Sequence, residues 1–244
     1  LAAAVGVNLI VEKPLESLLT NIRGTEIVME KAHKYGRRVL VMSTSEIYGK
    51  NTSDSLSEED DRILGSPLKR RWSYSEAKAI DEILAYTYWR EKGLETVIIR
   101  LFNTVGPRQT GSYGMVLPRF VGQALRSQPI TIYGNGMQTR CFCHVGDVVE
   151  GLVALSEHPE AFGKVFNLGG NEEISIRDLA ERIIELVGSA SQLEYVPYDD
   201  AYEEGFEDME RRVPNTNLAK QLVGFESSMD LDEIIRSVIE DLRT

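Results

Sequence analysis

The chain has 244 residues, 42% of them apolar, which is enough to bury a sizeable core in one large domain or two small ones. Its 27 basic and 38 acidic residues give a net charge of −11, which argues against nucleic-acid and anionic-membrane partners, so an anionic ligand must be held by a few placed arginines. No apolar run reaches the roughly 20 residues of a membrane span and no signal peptide is evident; with only Cys141 and Cys143 as thiols, a cytoplasmic protein with free cysteines is expected.

The opening LAAAVGV has no polar lead-in and reads as the end of a buried strand that begins upstream. Residues 15 to 36 show helical spacing, with Leu18, Ile22, Val28 and Ala32 on related faces and a stop at Gly36. RRVLVMST follows as a β-rich run, apolar on both faces over Val39 to Met42, as in a parallel strand covered by helices on both sides. Polar residues begin abruptly at Ser43.

After the acidic loop SLSEEDDRILGSP, a second helix is expected from Ser73 to Lys92, with Ala77, Ile80, Leu84 and Tyr88 on its stripe and Gly93 as terminator. TVIIRLFN repeats the strand pattern. Strands alternating with helices, with polar residues gathered past each strand, predict a Rossmann-like doubly wound parallel α/β sheet with its site at the carboxyl ends of the strands. Residues 1–104 are assigned to that domain. From Val105 the short runs ITIY, KVFNLGG and LEYVP and helices near 116 to 127 and 175 to 188 predict a smaller α+β substrate-binding lobe over 105–244, some segments of which return to the first domain. DDAYEEGFEDMERR carries seven acids and reads as a solvated loop or helix end.

Tyr74 and Lys78 lie four apart in WSYSEAKA and therefore share a helix face. A phenol with a reference pKa of about 10 needs a downward shift of about three units, worth ~4 kcal/mol, to act as a base at neutral pH. A hydroxyl at the end of the preceding strand is suited to orient the substrate hydroxyl that such a base deprotonates, and Thr44 is placed for it. TRCFCHV, read as one alternating strand, sets Arg140, Phe142 and His144 on one face and both cysteines on the other, so Cys141, Cys143 and His144 do not converge on a metal.

The ordered segments LAAAVGV, NIRGT, STSEIYG, YSEAK, RLFNTVGPR, IYGNGMQTRCFCHVGDV and FNLGG resemble the extended short-chain dehydrogenases that modify nucleotide sugars with NAD. The resemblance implies that Tyr74 is the catalytic base, that Lys78 binds the nicotinamide ribose and lowers the tyrosine pKa, and that Thr44 orients the substrate hydroxyl. It likewise implies that Ala3, Asn21 and Ser43 line the cofactor, that Asn103, Arg140 and Arg212 hold the substrate phosphates, and that Thr131 and Tyr133 flank the base. A homodimer formed through the Tyr74 helix is implied too, with Ala85, Tyr86 and Trp89 as contact candidates. Tyr48 is expected to be structural. The family's Gly-xx-Gly-xx-Gly loop has no counterpart among these residues, so the sheet is expected to be incomplete at its amino-terminal side.

Thr44-Ser45-Glu46 is similar to the corresponding triplet of UDP-glucuronate decarboxylases. A 4-keto uronic acid is a β-keto acid and loses carbon dioxide readily, and Ser45, Glu46 and Arg140 are candidates for holding its carboxyl and supplying a proton. The familiar decarboxylases carry Pro-Ala-Ser-Pro where this chain reads AAAVGVNLIVEKP, which keeps a 4-epimerase acting on UDP-glucose or UDP-glucuronate as the alternative. A binding subunit without turnover is the reading from a different class.

Overall fold

The computed structural model describes residues 13–111, 115–201 and 207–243; Ala3 and the expected opening strand lie outside them. Helix α1 (Pro14–Tyr35) starts on a proline, whose missing N–H costs nothing in the first turn, and ends at Gly36 in the left-handed conformation, φ 59°. Strand β1 (Val39–Thr44), helix α2 (Ser73–Lys92) and strand β2 (Thr96–Leu101) follow. A single 3-10 turn, Ser45–Tyr48, leaves the end of β1, and another, Arg70–Trp72, leads into α2.

Strand β3 (Thr104–Val105), helix α3 (Val116–Leu125), strands β4 (Ile130–Tyr133), β5 (Thr139–Cys141) and β6 (Cys143–His144), and helix α4 (Val145–Glu157) come next. Strand β7 (Val165–Leu168) then joins the first sheet, whose order is β1-β2-β7 with every pair parallel. The remaining elements are β8 (Glu173–Ser175), α5 (Ile176–Val187), β9 (Leu193–Val196), the short helix α6 (Tyr198–Ala201), β10 (Arg211–Arg212), α7 (Asn217–Val223) and α8 (Leu231–Arg243).

Helices cover both faces of the parallel sheet. Met29 and Ala32 of α1 and Ala85 of α2 pack on Val41 and Ile98, while Val148 and Leu155 of α4 and Ala219 of α7 pack with Val97, Ile99 and Phe166. A separate core joins Leu117 and Phe120 of α3, Ile130 and Ile132 of β4, Leu179 and Ile183 of α5, and Ile234 and Val238 of α8. Removing the two helix-packed faces from water is what favours apolar residues over most of these strands, at about 25 cal/mol per Å² buried, with Ser43, Thr96, Arg100 and Asn167 as buried polar exceptions.

Both helical stripes read from the sequence need correction. Val28 is 50% exposed and Met29 takes its place, because positions 22, 25, 29 and 32 keep the turn spacing on the packed side. On α2 Ile80 and Ile83 are exposed, and the buried face carries Lys78, Asp81, Glu82 and Ala85. Ala85 is fully buried in the intrachain core, so it does not serve a dimer contact. Trp89 lies against Gly163, whose positive φ and lack of a Cβ admit the ring.

TRCFCHV is two strands, not one. β5 pairs with β8 and β10, β6 pairs with β3, and Cys141, Phe142 and Cys143 are all buried, so the alternation of faces is lost where the chain passes between sheets. Burial pushes the Cys141 thiol up to about 12 and the Cys143 thiol up to about 11. Among the described residues no helix is long and apolar enough to cross a membrane.

Candidate active site

The site is built where β1 ends. Thr44 keeps extended backbone (φ −149°, ψ 150°) and caps the turn that follows, its Oγ1 accepting the Glu46 N–H at 3.2 Å. That bond uses a lone pair and leaves the hydroxyl proton for another acceptor. Ser43, one residue below, is buried and donates its hydroxyl proton to Glu82 Oε1 at 2.5 Å.

Ser43, Arg100 and Asn167 stand in register across β1, β2 and β7 and form a polar rung beneath the rim. Arg100 donates Nε and Nη2 to the two oxygens of Glu82 at 3.0 and 2.8 Å, and Nη1 to the Tyr48 hydroxyl at 3.0 Å. Tyr48, fully buried, in turn donates to Asn167 Oδ1 at 2.7 Å, and burial pushes its phenol up to about 12. This accords with the structural part expected of Tyr48.

Tyr74 and Lys78 lie on the first turns of α2. Lys78 Nζ sits 3.1 Å from Asp81 Oδ2, and Asp81 also bonds Thr25 of α1, which ties the two helices together beside the buried Asn21. The Tyr74 phenol is pushed up from its ordinary value, by burial first and then by the carboxylates of Glu46 and Asp81. That direction is opposite to the shift expected from Lys78, because burial and the two carboxylates all disfavour the phenolate.

A second group of charges surrounds Glu46. Arg71 grips its carboxylate with two bonds, Nη1 to Oε2 at 2.5 Å and Nη2 to Oε1 at 3.1 Å, and Arg212 Nη1 stands 3.5 Å from Oε1. Burial raises the Glu46 carboxyl, but Arg71 and Arg212 outweigh it and hold the group below the usual carboxylate range. Arg212 also donates to Ser45 Oγ at 3.3 Å and to Asn103 Oδ1 at 3.2 Å. Asn103 sits at φ 20° and is fixed by its own amide donating to the Cys141 carbonyl at 2.8 Å.

Arg140 Nη2 lies 3.2 Å from Asp208 Oδ1, and the Tyr198 hydroxyl donates to Asp208 Oδ2 at 2.9 Å. Gln138 Nε2 donates both to Tyr198 and to the Tyr133 carbonyl, which joins the edge of β4 to this group. Thr131 Oγ1 is held by Gln123 at 3.1 Å, and the Tyr133 ring stacks beneath the Arg119 guanidinium, 4.6 Å away.

The cluster of Arg71, Arg140 and Arg212 against Glu46 and Asp208 is one positive charge in excess. Burial, and then the Arg140 charge, push Arg212 down to about 9 against the pull of Glu46 and Asp208. Arginine keeps its proton at neutral pH even so, and the shift registers a buried positive charge that an added anion would relieve.

Of the residues singled out from the sequence, Ser45, Glu46, Asn103 and Arg212 come together directly, and Thr44 and Tyr74 adjoin them through Glu46. Arg140 joins the same cluster through Asp208 and Arg212. Sequence reasoning missed Arg71, Asp208 and Tyr198. Arg71, three residues before Tyr74, was open to detection as a cation one turn ahead of the tyrosine. Asp208 was hidden in the acidic run read as solvated; its neighbour Glu207 is held by Lys69, Trp72 Nε1 and Lys50, so the end of that run is a strap fastened to the site.

Comparison with known proteins bears on these groups. A family model described as NAD dependent epimerase/dehydratase family matches residues 1–169. The UDP-N-acetyl-alpha-D-glucosaminuronate decarboxylase of Bacillus cytotoxicus is 37% identical over 244 residues, covering 100% of this chain and 75% of that protein. The UDP-glucuronic acid decarboxylase 1 of Xenopus tropicalis is 36% identical over 230 residues, covering 94% of this chain and 52% of the relative, so the chain spans about half of that length. The UDP-glucuronic acid 4-epimerase of Bacillus cereus, solved in complex with UDP-glucuronic acid and NAD, is similar with a TM-score of 0.87 at 26% identity over 100% of this chain and 74% of that one.

Proposed function

Because this chain belongs to the NAD dependent epimerase/dehydratase family, we propose that it acts on a UDP-linked uronic acid, oxidising C4 and releasing the C6 carboxyl as carbon dioxide. UDP-glucuronate and UDP-N-acetylglucosaminuronate are the substrates in view. The observation that carries this reading is the excess positive charge gathered at Glu46 beside Thr44 and Tyr74, which suits a substrate bearing a diphosphate and a carboxylate.

The residues fit the nicotinamide ribose end of NAD. Lys78 and Tyr74 share one face of α2, the Asp81 bond occupies one of three ammonium protons, and Asn21 stands buried on α1. Held there by Lys78, Tyr74 and Asn21, NAD would supply a reversible hydride acceptor for C4. Tyr74, whose phenol burial and the Glu46 and Asp81 carboxylates push up, would accept the C4 hydroxyl proton once a cationic nicotinamide ring offsets that shift, and Thr44 orients that hydroxyl with the donor its capping bond does not use. Once C4 is a ketone, the C5–C6 bond breaks, carbon dioxide leaves, and its electron pair is held on the C4 oxygen until C5 is protonated. Glu46 is held ionised, so it orients Arg71 and Arg212 rather than donating a proton; Ser45, bonded to Arg212, is the relay to C5. Asn103, Arg140 and Arg212 bind the phosphates, and Thr131 and Tyr133 border the base.

Incubation with NAD and each uronic acid in turn tests the reading. Release of carbon dioxide with a UDP-pentose product is expected. The missing Pro-Ala-Ser-Pro segment favours the second reading, 4-epimerisation, and a uronic acid with inverted C4 and no carbon dioxide establishes it instead. Binding of UDP without turnover of any UDP-sugar marks a binding subunit. The reading places the protein in the cytoplasm as a homodimer joined through the exposed side of α1 and α2, where Leu19, Ile27, Ile83 and Tyr86 lie open; light scattering at the monomer mass counts against the dimer.

A further inference from the structure

We propose that Asp208 is a built-in counter-ion of the substrate site, occupying Arg140 until an incoming diphosphate displaces it. The inference rests on the reading of Arg140 as a phosphate-binding group. Arg140 is buried, and a buried guanidinium without a counter-charge costs several kcal/mol, so a site waiting for an anion needs a substitute. Asp208 supplies one: its Oδ1 takes the Arg140 Nη2 bond at 3.2 Å and the Met209 N–H at 2.8 Å, and its Oδ2 takes the Tyr198 hydroxyl at 2.9 Å. Unlike the grip of Arg71 on Glu46, the Arg140 contact is a single bond, with the other terminal nitrogen, Nη1, turned to the Thr139 carbonyl at 2.8 Å.

The charge balance favours exchange rather than sharing. A diphosphate added beside Glu46 and Asp208 makes the cluster net negative, and withdrawal of Asp208 from Arg140 restores neutrality. The neighbouring residue keeps the strap in place meanwhile, since Glu207 is fastened independently to Lys50, Lys69 and Trp72. Asp208 therefore sets affinity by competing for Arg140, and a ligand lacking a paired negative charge does not displace it.

Calorimetric titration of the chain with inorganic pyrophosphate and, separately, with UDP tests this. Asp208→Asn, nearly isosteric, and Asp208→Ala, as a second variant, are both expected to bind pyrophosphate about tenfold more tightly than the unaltered protein. In an Arg140→Gln background the same substitutions should bring no gain. Pyrophosphate affinity that is unchanged or weaker in both Asp208 variants overturns the proposal, as does a full gain that persists without Arg140. UDP binding no tighter than pyrophosphate in every variant refutes the nucleotide reading alone and leaves the counter-ion assignment to the pyrophosphate result.

Discussion

Two buried groups of charge lie within one residue of each other at the end of β1, and they are built on opposite plans. The rung of Ser43, Arg100 and Asn167 with Glu82 and Tyr48 is closed: Arg100 is gripped by Glu82, which receives bonds on both oxygens, and the Glu58 carboxylate at its edge accepts the Asn167 N–H at 2.8 Å. The cluster around Glu46 is open, with three guanidinium groups, two carboxylates, and Arg212 pushed down to about 9 by burial and by Arg140. A saturated network stiffens the sheet beneath the rim, whereas an unbalanced one stores affinity for an anion. Ser43 and Thr44 belong to different groups because successive residues of a strand point to opposite faces.

The comparison is broken most severely at Arg100. Replacing it by Met strands Glu82 as an unpaired buried charge and is expected to cost about 3–5 kcal/mol, read by urea unfolding. Adding Glu82→Leu should recover much of that loss, because no unpaired charge then remains and only neutral groups such as the Ser43 hydroxyl lose a partner. Tyr74→Phe should leave unfolding unchanged while lowering turnover of the UDP-uronic acid by about 10³-fold, within the range of a lost general base; retained turnover removes that assignment.

Smaller, and opposite in sign for stability, is the effect expected at Arg212. Arg212→Gln should weaken UDP binding by about tenfold or more in a titration while leaving the protein as stable as before, or more so, since it removes surplus buried charge. A large loss of stability would show that the two groups do not differ in plan.

The smallest effect concerns the strap. Glu207 is held down to about 2, by the Lys69 bond first and with Trp72 and Lys50 adding to it, while partial burial opposes. Its folded pKa lies below the unfolded value of about 4.3, so its contribution is complete above that value and is lost as pH falls through about 2. Glu207→Gln should therefore lower the melting temperature slightly near neutrality and flatten its decline between pH 4 and 2. An unchanged acid profile means that the carboxylate does not fasten the strap.

Much of the fold was legible from local pattern. Gly36 and Gly93 end their helices where expected, and the strands after them start within two residues of the expected runs, because a left-handed cap and a β-branched run act over a few residues. The face of α2 was misread for a physical reason: apolar spacing finds a buried side when burial is apolar, and here the buried side carries Lys78, Asp81 and Glu82 while Ile83 is 62% exposed. The acidic run was misread because composition counts charges without their partners, and Glu207 and Asp208 find theirs on distant segments.

Local pattern along the chain sets the alternation of strands and helices, the shared face of Tyr74 and Lys78, and the ordered motifs that carry family membership. All of these depend on separations of a few residues or on order alone. Folding alone brings Arg71 to Glu46, Arg212 to Asn103 from 109 residues away, and Asp208 rather than solvent to Arg140. Coulomb energy depends on distance and burial, and neither is set until the sheet, its helices and the strap have closed around one point.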